Sequence, residues 1–417
     1  MIDWSRSAPT LGLEVRGILE RTRGPLIRVR LPGAVMEGRV FIEPEGPEGR
    51  VVALEEGSAW VLPLGRATGL QARARVRKLE GADTIPDPDL ALGRMVDGLG
   101  RGIDSGRTLP RHPRPNPSGV MARRKVEARW PTRIRVLDAL LPLGIGQRVG
   151  LFSGPGVGKS SLLARLAQAP GHEVLIAALV GERSREVGAF MDGLGSMRDR
   201  STVVVATADE SPMLRLEAAW TASHLAAAHR AQGRSVLLLV DSLTRFARAT
   251  RELGSALGEA PCIRGFPARS FSELASLVEL GGAVAGGAVT AIHTVLEEDE
   301  DDPIAEEIKS LLDGHLVLDP ERARRDQHPA IDVLASVSRC AQDLMMPGQA
   351  QQAAQVRAWL ALLARDDVRL GLVGVGQDPA VDEARSNAAR IEAFLAESAH
   401  ATDASESLAA LGRLVEA

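Results

Sequence analysis

Ser153-Gly154-Pro155-Gly156-Val157-Gly158-Lys159-Ser160 decides the fold. The apolar run Arg148–Phe152 leads into it, and a helical pattern, Lys159–Gln168, follows. A glycine-rich turn between a strand and a helix is the context in which a phosphate cradle works. The glycines let the backbone turn tightly and aim successive N–H groups inward. The helix start adds the positive end of its dipole. Lys159 supplies a point charge for β- and γ-phosphates, and Ser160 a hydroxyl oxygen for Mg²⁺. The candidate nucleotide-binding residues are Gly154, Pro155, Gly156, Val157, Gly158, Lys159, Ser160 and Ser161. The usual signature opens with Gly. Here Ser153 stands in its place, small enough for the loop to close.

Around this run, apolar strand-like segments alternate with helical patterns. Arg148–Phe152, Val174–Val180, Val203–Ala206, Val236–Val240 and Val289–Val295 read as strands; Lys159–Gln168 and Met213–Gln232 read as helices. Continuous apolar strands with helices between them predict a parallel sheet covered on both faces. Upstream, Leu13–Leu19, Leu26–Leu31, Gly49–Leu54 and Trp60–Leu64 alternate with period two between Gly and Pro turns, the pattern of a small β-barrel. Pro86-Asp87-Pro88 marks a bend, and four prolines between Arg107 and Pro117 an extended linker. Beyond Pro347 the chain is rich in Ala and Leu, with helical periodicity alone. The expected fold is an α/β P-loop NTPase (RecA-like) core with a small N-terminal β-barrel and a C-terminal helical domain. The expected bounds are 1–80 for the barrel, 81–143 for a connecting segment, 144–346 for the core and 347–417 for the helices.

Hydrolysis needs a carboxylate to orient water and positive charge near the γ-phosphate. Val236-Leu237-Leu238-Leu239-Val240-Asp241 is an apolar strand ending in an acid, placing Asp241 beside the loop as a second Mg²⁺ residue. Glu182 directly follows the strand Val174–Val180, on the ligand side of a parallel sheet, where a water-activating carboxylate belongs. On position alone, Glu182 and Arg183 could equally be a surface pair on a turn.

The motifs around these residues resemble those of the rotary-type hexameric ATPases. Gly181-Glu182-Arg183-Ser184-Arg185-Glu186-Val187 resembles their catalytic-glutamate loop, as does Ala206–Arg215 with its Thr-Ala-Asp-Glu-Ser-Pro run. Asp241-Ser242-Leu243-Thr244-Arg245-Phe246-Ala247 looks like their magnesium segment, and Pro329–Arg339 resembles the signature shared with the α and β subunits of F-type ATP synthase. Within that group, Val295–Glu298, Pro303–His315 and Leu92–Gly100 look like the type III secretion ATPases. The resemblance implies Glu182 as catalytic glutamate, with Arg183 helping to hold the site. It implies Lys159, Ser160 and Asp241 as nucleotide and metal residues, and ATP with Mg²⁺ as cofactors. Arg339 matches an arginine finger that acts on the neighbouring copy's nucleotide, which implies a ring of six identical subunits. The implied partners are further copies of the chain, the stalk and stator proteins of the secretion apparatus and chaperone–substrate complexes. The implied place is the cytoplasm, at the inner face of the cytoplasmic membrane and reached through the apparatus. The short start before the first strand favours the injectisome form over the flagellar one. Where the family sets a Tyr against adenine, Val368–Gln377 has no aromatic, so an aliphatic base contact and looser selectivity are expected. Arg324-Arg325-Asp326-Gln327-His328 also departs from the family's stretch.

Composition narrows the alternatives. Net charge is −4, Tyr is absent and aromatics make up 3%, which speaks against a nucleic-acid partner such as an RNA translocase would need. No run suits a bilayer or a signal peptide, so a cytoplasmic chain is expected. Cys262 and Cys340 have no metal spacing and read as reduced thiols. Lysine is confined to Lys78, Lys125, Lys159 and Lys309 in a chain that otherwise uses arginine, and Lys159 marks a place where a compact ammonium is expected to matter. The acidic run Glu297–Asp302 reads as a solvated loop. A non-hydrolysing ring subunit is set against Glu182, and an ATP synthase subunit against the secretion-like segments.

Overall fold

The computed structural model describes residues 16–65, 69–79, 84–104, 106–297, 302–396 and 403–416. The expected first strand begins at Leu13, and 13–15 lie outside the described residues. From there β1 (Arg16–Arg23), β2 (Leu26–Arg30), β3 (Arg39–Ile42), β4 (Glu48–Glu55), β5 (Ser58–Pro63) and β6 (Arg75–Leu79) close into a barrel of order β1-β2-β5-β4-β3-β6. Alternation does this: Ile27, Val29, Val40, Ile42, Val51, Val61 and Val76 point inward, none more than 1% exposed, while arginines between them face out. The short strands β3 and β6 carry too few apolar residues to be read from periodicity.

The segment expected only to connect does more. Of β7 (Thr84–Pro86), β8 (Met95–Asp97) and β9 (Arg111–Pro113), β7 pairs with β9 and β8 joins the central sheet as its outer strand. Helix α1 (Arg135–Leu140) is buried almost throughout. A three-residue strand is below the length at which any period shows.

The core continues through β10 (Arg148–Ser153), α2 (Lys159–Ala167), β11 (Val174–Glu182), α3 (Ser184–Gly193), β12 (Ser201–Thr207), α4 (Pro212–Ala231), β13 (Ser235–Asp241) and α5 (Leu243–Leu257). Then come the hairpin β14 (Pro261–Ile263) and β15 (Phe266–Pro267), α6 (Ala268–Val278), β16 (Gly282–Val284), β17 (Gly287–Leu296), α7 (Pro303–Leu311), β18 (Gly314–Leu318), α8 (Pro320–Arg324) and β19 (Ile331–Ser338). The sheet order is β19-β18-β10-β17-β13-β11-β12-β8, with β16 paired to β17. From β18 to β8 the neighbours along this order run parallel; β19 turns back antiparallel to β18. Successive β11 residues feed opposite faces: Ile176, Ala178 and Val180 pack with α4 and α5, while Leu175, Ala177 and Leu179 pack with α1 and α2. That two-sided burial is why the parallel strands read as continuous apolar runs.

Helices α9 (Ala341–Leu344), α10 (Gln349–Ala364), α11 (Asp366–Arg369), α12 (Pro379–Leu395) and α13 (Ala404–Glu416) complete the chain, with α13 against α1 and α10. Asp302 caps α7, and 298–301 of the acidic run lie outside the described residues. Cys262 and Cys340 are free thiols. Among the described residues no helix is long and apolar enough to cross a membrane.

Candidate active site

Four parallel strands, β10, β17, β13 and β11, end side by side, and their last residues are Ser153, Leu296, Asp241 and Glu182. The phosphate loop leaves β10 here. Gly156 and Gly158 sit at φ 78° and 92°, in the left-handed region that only glycine adopts without strain. A Cβ added at Gly154 or Gly156 would meet nothing within 4 Å, so the loop's concave side is open. Gly158 caps α2 with no side-chain acceptor, which leaves the first N–H groups of the helix to a ligand.

The charged side chains converge on this opening. Lys159 Nζ lies 2.5 Å from Asp241 Oδ1 and 3.9 Å from Glu182 Oε1. Thr294 Oγ1 donates to the same Asp241 oxygen at 2.6 Å. Glu182 and Asp241 are 3% and 8% exposed, and Ser160 borders the small pocket they share. Burial pushes the Glu182 carboxyl up to about 8, helped by a hydrogen bond to Glu186 and by the nearby Asp241 charge. Glu186, accepting that bond, is held below its ordinary value.

Glu182, Lys159 and Asp241 are thus brought together, as the sequence reading required. Arg183 is not part of this cluster: it stands exposed at the N-cap of α3. The guanidinium engaging Glu182 belongs to Arg245, whose Nη2 is 3.2 Å from Glu182 Oε2 and whose Nη1 donates to the Gly181 carbonyl. Arg245 lies in the first turn of α5, four residues after Asp241, which folds it back over the strand ends. That spacing was open to the sequence reading, as was Thr294 beside Asp241; both needed the strand order to be noticed.

Arg339 lies elsewhere. Strand β19 runs antiparallel to β18 and carries Arg339 to the far end of the sheet, where its N–H donates to the Asp313 carbonyl. It is exposed, and its Nη2 lies 3.4 Å from the Lys309 carbonyl. Beside the loop, His328 faces the last glycine of the cradle.

Residues 133–338 match the model for the ATP synthase alpha/beta family, nucleotide-binding domain. A type 3 secretion system ATPase of Xanthomonas euvesicatoria is 40% identical over 364 residues, 83% of this chain and 81% of the relative. The chain belongs to the type III secretion ATPase family. A flagellum-specific ATP synthase of Treponema pallidum is 38% identical, over 92% of this chain and 88% of the relative. The assembled ATPase EscN of the enteropathogenic Escherichia coli type III secretion system superposes with a TM-score of 0.91 at 34% identity, covering 96% of this chain and 100% of that one. EscN has also been solved with its central stalk EscO, at a TM-score of 0.88 to this chain. As a member of this family the chain is an ATPase.

Proposed function

We propose that this chain hydrolyses ATP as one subunit of a ring of six identical copies, and that the ring drives type III protein export. The observation that carries the reading is a separation. Lys159, Asp241 and Glu182 meet at one end of the sheet, while Arg339 projects from the other. A chain with a cradle at one end and a finger at the other is self-complementary head to tail.

In this reading the loop N–H groups from Gly154 to Ser161 hold the phosphates, and Lys159 takes the β- and γ-oxygens. Ser160 and Asp241 would hold Mg²⁺. Their hard oxygen donors suit it, and Mg²⁺ commonly uses one or two protein carboxylates with substrate phosphates. Bound there, the ion neutralises charge on the phosphate oxygens. Glu182 orients the attacking water and takes its proton, and Arg245 keeps the Glu182 carboxylate in place. Arg183, on the same turn, supports the charge balance through Glu186. Arg339 meets the neighbour's γ-phosphate. The EscN–EscO complex supports a stalk as partner; stator proteins, chaperone–substrate complexes and a place at the inner face of the cytoplasmic membrane follow from the same family reading.

Steady-state ATPase turnover tests it. Replacing Glu182 by Gln should lower kcat by about 10²–10⁴-fold. Equal rates for wild type and Glu182→Gln would refute the catalytic assignment. A flagellar role is the second reading, favoured by the 38% identity to the Treponema protein. A Glu182→Gln strain that loses motility but still secretes effectors would select it.

A further inference from the structure

Where the barrel meets the core, four arginines surround a cavity of about 10 Å³, space for one water-sized particle. Arg39 and Arg50 come from β3 and β4 of the barrel, and Arg111 and Arg114 from the connecting segment. Helix α4 of the core closes the cavity with Glu217 and Thr221. Four guanidinium groups thus face one carboxylate, although charges taken out of water are normally paired. None of Lys159, Glu182 and Asp241 lines this cavity.

Pairing accounts for part of this charge. Glu217 is held by Arg50 and, at 2.7 Å, by Arg114, and Arg50 also meets Glu37 at 3.3 Å. Arg39 gives Nη2 to Glu48, but its Nε is buried and has no acceptor among the described residues. Arg111 meets no carboxylate directly. Its Nε donates to Thr84 Oγ1, Nη1 to the Leu99 and Gly100 carbonyls and Nη2 to the Thr84 carbonyl, which leaves one N–H of Nη2 over. Burial and the Arg39 charge pull Arg111 down to about 10, by more than the Asp97 charge offsets. Arg111 still touches solvent, which gives an ion a way in and out. A water molecule would need acceptors for its protons. Glu217, Thr84 and Leu99 already give oxygens to guanidinium groups, and Thr221 Oγ1 donates to the Gly98 carbonyl, so the groups left over are chiefly N–H donors. A particle that only accepts suits them better. The space excludes a tetrahedral oxyanion, and a weakly hydrated guanidinium exchanges its water readily for such an ion.

We propose that this cavity binds a single halide ion, chloride, held by Arg39 Nε and Arg111 Nη2, and that the ion fastens the barrel and the connecting segment to α4. It screens the repulsion between Arg39 and Arg111 and leaves Glu217 to Arg50 and Arg114.

Crystals of the full chain grown in bromide test this directly, because bromide scatters anomalously. The anomalous map should show a peak in the cavity, within hydrogen-bonding reach of Arg39 and Arg111. No peak there at saturating bromide would overturn the proposal. Thermal unfolding at constant ionic strength reads the same site in solution. Replacing gluconate by chloride or bromide should raise Tm by about 2–4 °C. Sulfate, too large to enter, should stabilise wild type and variants alike, by exclusion from the surface. Arg39→Met and Arg111→Met should each abolish the halide-dependent rise. An equal halide rise in wild type and both variants would be a general salt effect and would sink the site. A rise with sulfate that the variants lose would make it an oxyanion site and sink the halide assignment. Should either variant fail to fold, the bromide map of the wild type decides alone.

Discussion

Glu182 is the side chain whose ionisation governs the reaction in this reading. It can accept a proton from water only as a carboxylate, yet its burial, the Glu186 hydrogen bond and the Asp241 charge all favour the protonated acid, up to about 8. Below that value most molecules carry an inactive acid; above it they carry the base. The rate constant kcat/KM, which reports the free enzyme, should therefore climb about tenfold per pH unit below about 8 and level off above it. Glu186 is the acceptor that helps hold the proton on Glu182. Replacing Glu186 by Gln removes that anion and offers an amide donor, which favours the Glu182 carboxylate. The rising limb should then move to lower pH without loss of the plateau. A pH profile of kcat/KM for both proteins checks this, and an unshifted limb would mean that the two carboxyls do not share a proton. Lys159 and Arg245 act in the opposite sense, drawing Glu182 towards its charged form, though more weakly than burial opposes it.

Helix α4 ties the barrel to the core through one buried acid. Glu217 is 2% exposed and bridges Arg50 of β4 and Arg114 of the linker, the latter at 2.7 Å. The surroundings hold a surplus of positive charge: burial, with Arg39, Arg114 and Arg101 nearby, pulls Arg111 down to about 10. Removing the Glu217 charge would take from Arg50 and Arg114 the buried acid they share, and breaking a buried pair typically costs about 3–5 kcal/mol. Glu217→Gln should lower unfolding stability in urea by about 3 kcal/mol; a loss below about 0.5 kcal/mol would show that the bridge does not fasten the two parts. Nothing in the sequence pointed to Glu217, since a lone acid on a helix reads as solvated until its partners, more than a hundred residues away, are placed beside it. The same limit explains what else was hidden. Runs whose burial is continuous or strictly alternating, such as β11, β13 and β17, were legible because one residue's neighbours decide its period. The strand β8, three residues long, and the antiparallel return of β19 were not, because their place depends on partners distant in sequence. At the site, Lys159, Asp241 and Glu182 were legible because a strand's end fixes where its last side chain lies. Arg245 was missed because the turn that folds it back onto the cradle leaves no period.

At the scale of the whole molecule, the question is which copy's arginine meets which copy's phosphate. Arg339 N donates to the Asp313 carbonyl, and Asp313 N in turn donates to the Arg148 carbonyl, so the finger is level with the first residue of β10. The phosphate loop begins after Ser153, roughly 16 Å further along that strand at about 3.3 Å per residue. An arginine side chain does not span that distance, so in this reading each site takes its finger from the next subunit. Two inactive proteins can then repair each other. A subunit with Arg339→Ala keeps Glu182 and lacks only the finger, while one with Glu182→Gln keeps the finger and lacks the base. Each alone should be inactive. Mixed in equal amounts and assembled together, a site works when an Arg339→Ala subunit lies next to a Glu182→Gln subunit in the productive order. Random assembly makes that arrangement at about one site in four, so turnover should recover to about a quarter of the wild-type value if sites act independently. The double variant carrying both changes in one chain should rescue neither partner as well as the single variants rescue each other. Turnover that stays at the level of the separate variants, in rings shown by sedimentation to contain both, would mean that Arg339 serves its own chain or no site at all.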